Sequence, residues 1–244
     1  MLNQIINGDC FKIMPTIPEN SIDLIIFDPP YNIGSDSKLT MIGNNPISTN
    51  SAWGDDGFKD TFNKEDYTSI IERSTVEFSR ILKQDGSIIV FYNRGYDEWL
   101  LSLKQTFKYR NLFTFIKQNP IPHIRKNNYR SGFEVAMWLS RDKYHINFLS
   151  QEEMINVFYG NIGVKETSHP TEKYRWMIQP LIERHSKIGD TIFDPMCGSG
   201  TSCAIAKELG RNFIGIELDK SYYEMSLKRV NLIIADDVAS FFGN

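Results

Sequence analysis

Polar and apolar positions along the chain fall into two alternating signatures. Ile22-Asp23-Leu24-Ile25-Ile26-Phe27 is a nearly continuous apolar run, the mark of a strand covered on both faces. Residues 87–92 form a second run, introduced by the turn signal Asp85-Gly86. Residues 112–116, 133–139, 191–193 and 213–216 read as further strands, and 4–7 as a weaker one. Helical spacing lies between them. In 64–83 the apolar positions Tyr67, Ile70, Ile71, Val76, Phe78, Ile81 and Leu82 mostly recur at three and four, which gathers them on one face. Asn63 is the expected N-cap, with Glu65 and Asp66 in the first turn, where the helix dipole favours acids. Residues 96–107, 172–186, 200–209 and 221–230 also read as helices. Strands alternating with helices predict an open α/β sheet with helices on both faces. Residues 32–63 break the pattern. They are rich in Gly, Ser, Thr and Asn and predict a long functional or mobile loop.

Length and composition narrow the class. The 244 residues, 41% apolar and 23% charged, suffice for one large domain or two small ones. They exclude a disulfide miniprotein, a collagen-like repeat and a disordered tail. No run approaches the length of a bilayer span, so no membrane partner is expected. The N-terminus lacks the basic and apolar regions of a signal peptide. Cys10, Cys197 and Cys203 are odd in number and form no CxxC, which fits a reducing cytoplasm. His123, His145, His169 and His185 stand far apart, and no metal is expected.

The formal net charge is -3, which taken alone argues against nucleic acid. The average hides a patch. Residues 104–145 hold nine Lys or Arg against two acids, Glu134 and Asp142, a net of +7 that leaves -10 for the rest. The loop 119–130 inside it is polar, basic and marked by proline. Arg125, Lys126 and Arg130 are its candidate phosphate contacts.

Two turns carry candidate chemistry. Phe193-Asp194-Pro195-Met196-Cys197-Gly198-Ser199-Gly200-Thr201 follows a predicted strand and opens a predicted helix, where a glycine-rich turn lets a ligand approach the backbone. Glu217, at the tip of the next strand, is placed to accept hydrogen bonds from ribose hydroxyls. The third glycine of a dinucleotide fingerprint is Cys203 here. A nucleoside without a pyrophosphate needs less exposed backbone, and S-adenosylmethionine fits that description. The second turn, Asp28-Pro29-Pro30-Tyr31, leaves a buried strand. Its prolines fix φ and remove two donors. The Asp28 carboxylate and Pro29 carbonyl suit an exocyclic amine, whose lone pair they would localise, and the Tyr31 ring suits a base turned out of its helix.

Together with His169-Pro170-Thr171-Glu172-Lys173 and Gly8-Asp9-Cys10-Phe11, these turns resemble the DNA amino-methyltransferase family. The catalytic tetrapeptide precedes the cofactor glycines, as in the β-class branch. The resemblance spans nearly the whole chain. It implies a single-domain, circularly permuted Rossmann-like fold over 1–244, with a mostly parallel seven-stranded sheet. It assigns the target amine to Asp28 and the Pro29 carbonyl, with Pro30 and Tyr31 completing the catalytic tetrapeptide. It assigns the cofactor adenine to Asp9 and Cys10, the methionine end to Gly198 and Gly200, and the ribose to Glu217. It sets Thr171 and Lys173 near the cofactor carboxylate. Asp28, Phe193, Asp194, Ser199, Thr201 and Leu218 complete the cofactor residues, and His169 shapes a turn. Asp rather than Ser at position 28 leans toward adenine N6 over cytosine N4.

The resemblance further implies S-adenosylhomocysteine as product and DNA as partner, with a homodimer and a cognate restriction enzyme as further partners. The interval 141–168 is too short for an independent recognition domain, so a short or degenerate target, read with help from loop 32–63, is expected. An RNA or protein-amide methyltransferase is the alternative. Its members usually carry Asn before Pro-Pro-Tyr and place the cofactor motif first. A partner subunit without catalysis and an NAD-dependent oxidoreductase fit less well.

Overall fold

The computed structural model describes residues 1–30, 40–42, 45–47, 64–92, 100–122, 129–163, 167, 169 and 171–242. The elements follow in the order β1 (Gln4–Asn7), α1 (Cys10–Ile13), β2 (Ile22–Phe27), β3 (Thr40–Ile42), β4 (Asn45–Ile47), α2 (Lys64–Ile81) and β5 (Leu82–Tyr92). Then come α3 (Leu101–Thr106), β6 (Lys108–Lys117), β7 (Phe133–Ser140), β8 (Val157–Gly160), α4 (Arg175–His185), β9 (Thr191–Asp194), α5 (Thr201–Glu208), β10 (Asn212–Glu217) and α6 (Lys220–Phe242).

Eight strands build the main sheet, ordered β1-β10-β9-β2-β5-β7-β6-β8. All neighbours are parallel except that β7 runs against both β5 and β6. The expected α/β class and mostly parallel sheet are observed, with eight strands in place of seven. The eighth is β8, which has four residues and no buried position, so it lacks the apolar run that betrays a central strand.

The sheet is covered on both faces, and the pleat sorts its side chains. On β2, Leu24 and Ile26 enter one core with Met177 and Leu181 of α4 and Ala204 of α5. Ile25 and Phe27 enter the other, with Tyr67, Ile71 and Phe78 of α2. The helix after β9 and the helix after β2 therefore lie on opposite faces. Since β9 and β2 are neighbours, the chain reverses its winding between them. That is where an open α/β sheet leaves a crevice at the carboxyl ends of its strands.

Several boundaries differ from expectation. Helix α4 begins at Arg175 rather than 172, because Glu172 and Lys173 make the site contacts given below. Helix α6 continues to Phe242, past the predicted 230. The Asn63 cap lies outside the described residues, as does most of loop 32–63. Within that loop 40–42 and 45–47 pair as an antiparallel ladder.

The described part of 141–168 is tied to the scaffold. The His145 N–H donates to the Asp85 carbonyl, and the Asn147 amide donates to the Glu183 and Ser186 carbonyls. It thereby satisfies carbonyls orphaned at the end of α4. The segment then adds β8 to the edge of the sheet.

The +7 segment does not form one patch either. β7 is antiparallel, so Arg141 lies at the opposite sheet edge from Lys117. Arg110 donates to the Arg141 and Asp142 carbonyls, Arg141 to the Ser79 carbonyl, and Lys108 pairs with Asp142. These cations are used in holding the far edge together.

Close packing of α5 on β10 replaces the missing third glycine. A Cβ on Gly215 would stand 2.7 Å from Cys203 Sγ and 3.1 Å from Cys197 Sγ. The glycine that permits close approach has moved from the helix to the strand. Gly215→Ala should therefore lower stability by about 1–3 kcal/mol, the usual cost of overpacking. Adding Cys203→Ala should restore part of it. Urea denaturation checks this, and an unshifted midpoint for Gly215→Ala would contradict it.

Candidate active site

A cavity of about 810 Å³ opens at the crevice between β2 and β9. Its walls come from the turn after β2 (Asp28, Pro29, Pro30), the turn after β9 (194–199), the start of α1, and His169, Thr171, Glu172 and Lys173. Tyr31, Arg125 and Lys126 lie outside the described residues. Of the other expected site residues, Asp9, Cys10, Asp28, Pro29, Pro30, Thr171, Lys173, Asp194, Gly198, Ser199, Thr201, Glu217 and Leu218 line the cavity.

Two expected cofactor residues do not line it, and neither does Arg130, which is exposed. Phe193 is fully buried in the core beneath α2. Gly200 has φ 74°, and its missing Cβ would meet Ser226 Cβ at 2.8 Å. Its glycine character serves the approach of α6. Gly198 does face the site. Its φ is 51°, and a Cβ there would meet His169 Nε2 at 3.0 Å. A side chain at 198 would thus be strained and crowded at once.

Hydrogen bonds join the motif segments. Glu217 Oε2 accepts from the Gly198 N–H at 2.9 Å and Oε1 from the Asp219 N–H at 2.8 Å. Burial raises the Glu217 pKa, and those N–H groups partly offset it. Asp9 caps α1 by accepting from the Phe11 N–H at 2.9 Å. His169 Nδ1 accepts from the Thr171 N–H at 3.3 Å, and its ring packs edge-on against Tyr222. Beneath the floor, Arg229 Nη1 reaches Glu172 Oε1 at 3.2 Å and donates to the Thr201 hydroxyl at 2.7 Å. This buried pair ties segment 169–173 to the glycine turn. Arg229 gave no sequence signal, because it occupies an ordinary position on an amphipathic helix.

Lys173 lines the cavity and also makes contacts that its motif did not announce. Its Nζ lies 3.2 Å from Asp28 Oδ2 and 3.0 Å from Glu134 Oε2, against the face of Phe91. Glu134 in turn meets Lys117 Nζ at 2.8 Å. Burial would pull the Lys173 pKa down, but Asp28 and Glu134 outweigh it and hold it above the ordinary lysine value. Burial raises Glu134, and the two lysines overcome that and bring it down to about 2. Glu134 was legible only as a lone acid in the apolar strand Phe133–Ser140.

Asp194 is buried at the end of β9. It accepts from the Met196 N–H at 3.2 Å and from the Ser202 hydroxyl. Burial pushes its pKa up to about 7, and Asp28 and Glu217 add to the rise. The cavity thus sets carboxylates among apolar walls that include Phe11, Ile70 and Met196. Those acceptors match a cation with an apolar and ribosyl body. No group of three His, Cys, Asp or Glu placed to hold a metal occurs among the described residues.

A family model described as DNA methylase, of the N6/N4 type, matches residues 22–228. The chain belongs to the DNA N6/N4 amino-methyltransferase family. The Type II methyltransferase M.HinfI of Haemophilus influenzae is 33% identical, over 95% of this chain and 69% of its own length. The Type II methyltransferase M2.DpnII of Streptococcus pneumoniae is 27% identical, over 93% and 88%. Among solved structures, the M1.HpyAVI–SAM complex has TM-score 0.69 and 22% identity, covering 93% of this chain and 99% of that one. The cytosine-N4-specific PvuII DNA methyltransferase has TM-score 0.73 and 16% identity, covering 93% and 85%. At these identities the solved structures share the fold with this DNA methyltransferase.

A buried acid with a raised pKa binds its proton more tightly in the folded state, so its effect on stability has a definite sign. Between the ordinary aspartate value and about 7, the folded protein loses stability as pH rises. Asp194→Asn keeps an acceptor and a donor in place without the ionisation. In the ligand-free protein it should raise the melting temperature more at pH 8 than at pH 5. An equal or reversed gain would contradict the burial argument.

Proposed function

We propose that this DNA methyltransferase transfers a methyl group from S-adenosylmethionine to the N6 amino group of adenine. The observation that carries the reading is Asp28. It leaves the buried strand β2 at the rim of a cavity that also contains the glycine turn and Glu217, and Lys173 holds its carboxylate at 3.2 Å. S-adenosylmethionine supplies an electrophilic methyl on a sulfonium and leaves as S-adenosylhomocysteine.

The residues divide the remaining work. Glu217 would accept from the ribose hydroxyls, and Asp9 and the Cys10 backbone would face the adenine of the cofactor. Gly198, Ser199, Thr201 and Thr171 would surround its amino-acid end, with Asp194 and Leu218 completing the wall. The geometry that fits them to this ligand is the cradle at Gly198, which a Cβ would fill. Asp28 and the Pro29 carbonyl would accept the two N–H groups of the target amine. That localises a lone pair otherwise shared with the ring and aims it, so the contribution is positional and electrostatic. Tyr31 would stack on a target base turned out of the duplex. Arg125, Lys126 and Arg130 would bind phosphates from the 119–130 loop. That loop springs from the same sheet edge as Asp28, since β6 ends and β7 begins there. Arg130 is exposed.

The choice of adenine rests on Asp at position 28. The test incubates the protein with labelled S-adenosylmethionine and duplex DNA, RNA or protein, and identifies the product by mass spectrometry. N6-methyladenine in DNA is expected, and Asp28→Ala should abolish it while cofactor binding stays measurable. N4-methylcytosine alone would overturn the adenine assignment. An active Asp28→Ala would overturn the role of Asp28.

A further inference from the structure

Lys117, Glu134, Lys173 and Asp28 form a ladder of alternating charge from β6 across β7 to the mouth of the cavity. Lysine has four rotatable side-chain bonds and is costly to order. Here only 11% of the Lys173 side chain is exposed. Its ammonium meets the Asp28 and Glu134 carboxylates and the ring of Phe91, 4.9 Å away. Of the two carboxylates, Asp28 sits on a turn at the edge of the crevice, whereas Glu134 belongs to β7 and pairs with Phe115 of β6. Glu134 is the member held within the sheet. Lys117 holds its second oxygen at 2.8 Å. Two cations and two anions balance, so the buried charges are mutually compensated.

We propose that Glu134 is a positioning residue for methyl transfer. It anchors the Lys173 ammonium, and that ammonium sets the orientation of the Asp28 carboxylate toward the target amine. The proposal rests on the reading of Asp28 as the amine acceptor. Without Glu134 the ammonium loses its partner on the strand while its contact with Asp28 remains. The Asp28 carboxylate then loses its defined plane. The effect falls on the transfer step, where small misplacements are expensive, and leaves the cofactor walls in place. Glu134 does not line the cavity.

The test uses the full chain, and the readouts are the single-turnover rate on duplex DNA and the dissociation constant for S-adenosylmethionine. The informative variant is the pair Lys117→Gln with Glu134→Gln. It removes one charge of each sign and so keeps the local net charge. The rate should fall by at least about tenfold with cofactor affinity unchanged. Adding the pair to Lys173→Met should cause no further loss, because Glu134 acts through Lys173. An unimpaired pair, or losses that multiply in the triple variant, would overturn the proposal. If the pair melts below the assay temperature, Glu134→Asp replaces it. That variant keeps the charge but withdraws it by one methylene. A reduced rate at unchanged affinity supports the anchor, and a full rate overturns it. Asp28→Ala separates the two readings. If it is inactive while the Glu134 variants are unimpaired, only the anchor fails. If it retains the parent rate, the amine-acceptor reading fails with it.

Discussion

The structure depends on one constraint, the adjacency of β2 and β9 with their following helices on opposite faces. Because α2 packs on one face and α5 on the other, neither helix closes over the carboxyl ends of these two strands. The crevice left there receives Asp28 from one strand and Asp194 with the glycine turn from the other. These strands are far apart in sequence and neighbours in the sheet. A circularly permuted chain order therefore still brings the two turns face to face. The nearly continuous apolar run of β2 is what allows it, since each side of the strand is claimed by a different helical layer.

That crevice collects charge, and charge at a partly buried site is costly unless it is paired. The molecule meets the cost in two ways. Some groups are paired outright: Lys173 between Asp28 and Glu134, and Arg229 with Glu172 under the glycine turn. Others are left to strain toward neutrality, as Asp194 and Glu217 do with raised pKa values. A cationic ligand offsets that second kind of cost. Ligand affinity and the instability of the empty site are then two sides of one electrostatic arrangement.

Much of this was legible in the residues. Long apolar runs announced β2 and β5, and Pro-Pro after Asp28 announced a rigid exit turn. The glycine turn and the acid at the next strand end marked the ligand side. What escaped had weak or ambiguous local signals. β8 is short and partly exposed, so it has no periodicity to read. Lys173 belonged to a motif whose resemblance assigned it to the cofactor, while its partner Glu134 was 39 residues away and only folding brings them together. The basic segment misled in a different way. Its charge is real in sequence, but an antiparallel strand carries Arg110 and Arg141 to the far edge, where they bind carbonyls. Gly200 looked like a ligand glycine and is a packing glycine, because helix–helix approach and ligand approach ask for the same residue.

In the proposed mechanism Asp28 meets the target amine while Lys173 holds it from behind. The most direct measurement is the structure of the ternary complex with S-adenosylhomocysteine and a target duplex. The target amino nitrogen is expected within hydrogen-bond reach of the Asp28 carboxylate, at about 3 Å, with Lys173 still bridging Asp28 and Glu134. Lys173 turned away onto the cofactor carboxylate, with Asp28 out of reach of the base, would contradict it.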